Sequence, residues 1–78
     1  MTITQAIEEL GATGTERNDA LSAELVARDS YSAQIGAGLR NHDLDAGRAA
    51  LYAATERRAN AERAYQAADR QYRDLATK

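Results

Sequence analysis

The chain contains no cysteine, no proline, no tryptophan and no phenylalanine, and it has a single histidine, a single methionine and a single lysine. Without cysteine there can be no disulfide staple, and one histidine is too few for a conventional structural zinc site. Without proline nothing in the chain forbids a helix outright. No stretch approaches the roughly 20 apolar residues of a membrane span. No basic segment followed by an apolar run opens the sequence, so a cytoplasmic protein is the expectation. Large apolar residues are also scarce. Most of the 44% hydrophobic fraction is alanine, which removes little area from water when buried. A domain of 78 residues with so thin a core, and neither disulfide nor metal to reinforce it, is expected to lean on a second subunit or a partner.

What is present is helical periodicity. Reading every seventh residue gives Leu44, Leu51, Arg58, Tyr65 and Tyr72, and three further on from each lie Gly47, Ala54, Ala61, Ala68 and Leu75. Paired positions on a seven-residue repeat mark a helix that packs along its length against other helices. This repeat predicts a helix over 44–77 whose alanines permit close approach, with tyrosines filling the gaps. Upstream, Thr2 with Gln5 reads as a capping box opening a short helix over 3–10, ended by Gly11. Thr13 with Glu16 repeats the signature, so a second helix is expected over 15–40. Its apolar stripe is read as Leu21, Leu25, Arg28, Ser32, Ile35 and Leu39. Asn41 is expected as a left-handed stop and Asp43 as the cap of the next helix. No strand pattern appears. The expected architecture is all-α: a single domain with one short N-terminal helix and a long antiparallel helical hairpin, forming a bundle on dimerisation.

Charge is uneven. Residues 1–47 carry eight acids and three arginines, a net −5, whereas 48–78 carry four acids and seven bases, a net +3. Opposite signs favour the two halves lying side by side. Arg58, at a core-type position of the repeat, either is buried and calls for a partner such as Glu24 or Asp29, or marks a register-setting polar contact, or lies at an exposed edge of the stripe.

Motifs for chemistry are weak. Asn41, Asp43 and Asp45 alternate like the first ligands of a calcium loop, but the glycine is one place late and Tyr52 stands where the final glutamate belongs. Residues 40–51 are similar to the inter-helix turn of a tetratricopeptide-type repeat. A single such turn, without further units, reads as a generic helical-hairpin turn. His42 sits in that turn with no obvious orienting acid and nucleophile. Ser22, Ser30 and Ser32 have no nucleophile elbow around them. Gly36 and Gly38 lack the strand and lysine of a phosphate loop. No catalytic, metal or cofactor residue is assigned, and the chain is expected not to be an enzyme.

Association is therefore the expected function. Leu51, Tyr52, Tyr65, Tyr72, Leu75 and Tyr31 are the candidate interface residues, because tyrosine offers rigid area with a polar tip. The leading expectation is stoichiometric binding to a protein partner. By analogy alone it extends to a phage-type inhibitor of a host complex such as an anti-CRISPR, in which Glu8, Glu9, Glu16, Asp19 and Glu24 imitate phosphate spacing. One alternative is a structural or assembly component. Another is nucleic-acid binding along a basic ridge of Arg63, Arg70 and Arg73, which intrahelical pairing and overall acidity count against.

Overall fold

The computed structural model describes residues 1–77 as two helices, α1 (Ile3–Gly36) and α2 (Asn41–Ala76), folded back on each other as an antiparallel hairpin. The hairpin is a rod of 58 × 14 × 14 Å. None of its helices is long and apolar enough to cross a membrane, among the described residues.

The capping box forms as expected. Gln5 N donates to Thr2 Oγ1 at 3.1 Å, and Thr2 N donates to Gln5 Oε1 at 2.9 Å. The separate short helix does not form, because α1 runs without a break through Gly11, Thr13 and Gly14. The Thr13 hydroxyl, expected to cap a new helix, instead bonds back into the preceding turn, and the Thr15 hydroxyl does the same. Thr13 Oγ1 donates to Glu9 O at 2.8 Å, and Thr15 Oγ1 donates to Gly11 O at 3.0 Å. Each helical glycine costs about 1 kcal/mol relative to alanine. Continuing the helix offsets this by carrying Ala6 and Leu10 onto the far end of α2, where Ala6 is buried and Leu10 half-buried.

The chain turns earlier than the sequence suggests. α1 ends at Gly36, and Gly38, not Asn41, takes the left-handed conformation, with φ of 77°. Leu39 N donates to Gln34 O at 3.4 Å and Gly38 N to Ile35 O at 3.0 Å, the two bonds of a Schellman motif. Asn41 is the first residue of α2, and Asp43 lies in its first turn rather than at its cap. There the carboxylate faces the positive end of the helix dipole.

The seam on α2 is the expected one. Leu44, Gly47, Leu51, Ala54, Arg58, Ala61, Tyr65, Ala68, Tyr72 and Leu75 are all buried or half-buried. The seam on α1 is not. It runs Ala6, Leu10, Thr13, Arg17, Ala20, Glu24, Ala27, Tyr31 and Gln34, alternating steps of four and three through the supposed break. The stripe expected from Leu21, Leu25, Arg28, Ser32, Ile35 and Leu39 lies exposed beside it.

Complementarity explains the choice of stripe. α2 presents an arginine, a glutamate and a tyrosine at its middle, and the polar row of α1 answers each one. Arg58 Nε donates to Glu24 Oε2 at 2.9 Å. Arg17 pairs with Glu62 and places its guanidinium 4.7 Å from the Tyr65 ring centroid. Between these contacts the buried Ala20 and Ala61 let the backbones come close. Toward the turn the helices are also close at Gly47, where a Cβ would collide with the Gln34 carboxamide and stand 3.3 Å from the Tyr31 ring. Large side chains from the Leu21 row would not fit across such a seam without forcing the helices apart.

Candidate interaction surfaces

The residues singled out for binding separate into three groups. Leu51, Tyr65, Tyr72, Leu75 and Tyr31 are half-buried in the seam, where they join α1 to α2. Tyr31 Oη accepts from Arg48 Nε at 3.4 Å, which ties the two helices near the turn. Tyr52 alone of the set is free of the seam, at 68% exposure. It stands one helical turn from Arg48 and from Thr55, beside the seam.

The five acids do not form one face. Glu8, Glu9 and Asp19 are exposed. Glu16 is engaged by Arg57, whose hydrogen bond holds the carboxyl below its ordinary value of 4.5. Glu24 is in the seam at 4% exposure, where it receives Arg58 and stands 3.5 Å from Arg28. The Arg58 hydrogen bond is the main cause of its lowered pKa, with desolvation opposing and Thr55 assisting. Glu24 thus serves the hairpin itself. Its partner was foreseeable from Arg58 at a core position.

The basic ridge is partly neutralised. Arg73 pairs with Asp69 at 3.1 Å one turn earlier, and Arg63 hydrogen-bonds Asn60. Arg70 is exposed and makes no ion pair among the described residues. Glu62 pairs across the seam with Arg17.

Groups with catalytic potential do not converge. His42 is exposed in the first turn of α2, with Nε2 3.2 Å from Asp43 Oδ1. Ser22, Ser30 and Ser32 are exposed on α1. Among the described residues no three of His, Cys, Asp and Glu come together as metal ligands would.

The surface that sequence reading misplaced is the row of large apolar residues on α1. Leu21 and Leu25 are each 46% exposed and Ile35 is 53% exposed, with Ile7 on the same row. Leu21 borders a cleft with Arg17, Asn18, Arg58 and Glu62, so the row runs along one broad side of the rod. Glu16, Ala53, Asn60 and Ala64 border the other side. The signal that would have revealed this is the unbroken seven-residue spacing of the polar row from Ala6 to Gln34. That spacing leaves the Leu21 row without a place in the seam. No family model, curated protein or solved structure matches this chain.

Proposed function

We propose that this chain is a non-enzymatic helical binding protein that acts by stoichiometric protein–protein association. The observation that carries this reading is the exposed Ile7, Leu21, Leu25 and Ile35 row, alongside a hairpin seam that is complete without it. Large apolar side chains left uncovered along one helix face are a surface for another protein, since water gains from their burial. An inhibitory version, in which acids imitate phosphates, would depend on Glu8, Glu9 and Asp19, because Glu16 and Glu24 are engaged by Arg57 and Arg58. Assembly of a larger helical structure is the second reading, favoured by the 58 Å rod with its apolar edge.

A photo-crosslinking amino acid placed at Asn18, on the row, tests the first reading in the source cell. Ala67, exposed on α2, is the control position. The expected outcome is a discrete adduct of defined mass from Asn18 and none from Ala67. Equal labelling at both positions, or none at Asn18, would overturn the reading.

A further inference from the structure

The hairpin has more surface than its mass explains. Its accessible area is 5491 Å² for 8.5 kDa, whereas a compact folded monomer of that mass exposes about 4,700 Å². The surplus of roughly 800 Å² follows from the 58 × 14 × 14 Å rod shape, and a standard interface, at about 800 Å² per partner, would cover as much. The uncovered large apolar side chains lie mainly on α1. Five of these side chains fall on two adjoining sevenfold rows, Ile7, Gly14, Leu21, Arg28 and Ile35 on one and Gly11, Asn18, Leu25, Ser32 and, in the turn, Leu39 on the other, while Val26 lies off both rows.

We propose that this face seats a second copy of the chain, α1 against α1 in antiparallel orientation, to make a symmetric four-helix bundle. The inference rests on the binding reading above and names its first partner. What selects a second copy is the self-complementarity of the rows, the property a two-fold interface requires. A two-fold axis at the level of Ala23 sets Leu21 opposite Leu25 of the partner subunit, so four leucines meet at the centre. The same axis sets Ile35 opposite Gly11 of the partner subunit, and Ser32 opposite Gly14 of the partner subunit. Larger side chains thus face positions with no side chain. Ile7 points toward the level of the partner subunit's Leu39, in the turn. Arg28 falls opposite Asn18 of the partner subunit, next to Asp19 of the partner subunit, which gives its charge an opposite sign to meet.

A parallel pairing does none of this. It would stack Arg28 on its own copy and leave Gly11 and Gly14 each facing the same glycine of the partner subunit across a gap. Like charges so placed repel, and gaps forgo packing.

Two measurements on the full chain test the proposal. Sedimentation equilibrium should return twice the mass of 8.5 kDa. The double variant Leu21→Glu with Leu25→Glu should associate about 100-fold more weakly or worse. Both leucines are exposed in the hairpin, so its helicity should persist. A concentration-independent monomer for the unaltered chain would overturn the proposal. The second measurement needs no disruptive variant and uses the chain's lack of cysteine. Chains carrying Asn18→Cys and chains carrying Arg28→Cys are mixed and oxidised. Mixed disulfides are the expected product, while same-site disulfides would overturn the antiparallel arrangement. The Asn18 crosslinking experiment separates the two levels of the claim. An adduct with a different protein, from a chain that sediments as a monomer, rejects the second copy but keeps the binding reading. No adduct of any kind rejects both.

Discussion

Glu24 is the residue on which the hairpin's middle turns. Buried carboxylates are tolerated when paired and hydrogen-bonded, and Glu24 receives Arg58 across the seam with Arg28 one turn along its own helix. Its folded pKa lies below the ordinary 4.5, as does that of Glu16 beside Arg57. A depressed carboxyl contributes stability that is complete above its unfolded pKa and is lost as pH falls through the folded one. Thermal stability should therefore hold steady above the ordinary value of 4.5 and decline below it. Glu24→Gln should lower stability at neutral pH and flatten that acid decline, as followed by circular dichroism melts at a series of pH values. The double change Glu24→Leu with Arg58→Leu should recover much of the loss, since removing both partners leaves no uncompensated charge. A double variant no better than Glu24→Gln would show that the pair acts through more than mutual neutralisation.

Continuity of α1 is the property that matters most at the scale of elements. Gly11 and Gly14 read as punctuation when taken locally, with Thr13 and Glu16 supplying a plausible new start. Packing overrode that local preference, as it often does where a long seam rewards an unbroken helix. Gly11 has no atom within 4 Å of where a Cβ would stand. In a chain that also carries Leu21→Glu and Leu25→Glu, where no second copy packs on Gly11, Gly11→Ala should therefore raise stability by about 0.5–1 kcal/mol, measured by urea denaturation. A decrease would show that the chain breaks there. Gly38 is the opposite case. Its φ of 77° is a conformation that side chains resist, so Gly38→Ala should cost about 1–2 kcal/mol despite the open space around it. The turn's position was half legible for the same reason. Gly36, Gly38 and Asn41 all suit a helix end, and only the arrangement of the two helices selects which one bends.

For the molecule as a whole, the deciding quantity is the distance between helices. Ala20 and Ala61 are buried and lie between the Arg17 and Glu24 contacts, where the backbones are close. Ala20→Leu and Ala61→Leu add hydrophobic area, yet each should destabilise by about 1–3 kcal/mol, because extra volume must push the helices apart. Chemical denaturation would show this directly, and a gain in stability would mean that the seam has room to spare. The same close approach explains why the hairpin buries so little of its leucine and isoleucine and presents them on its side. Half of the seam was readable: every member of the α2 repeat, including Arg58, is where its spacing placed it. The α1 half was hidden because large apolar residues usually mark the buried stripe, and here they mark the uncovered one.

The sequence by itself determined that the chain is all helix, that it is capped at Thr2, and that α2 packs along a sevenfold row of alanine, tyrosine and Arg58. Those features follow from local chemistry and from periodicity, both of which are written in consecutive residues. Tertiary structure alone decided that α1 is one helix, that its seam is the polar row through Arg17 and Glu24, and that the leucine row faces outward. Two adjoining stripes on one helix share the same seven-residue period. Only a partner helix bearing Arg58, Glu62 and Tyr65 at matching heights could choose between them.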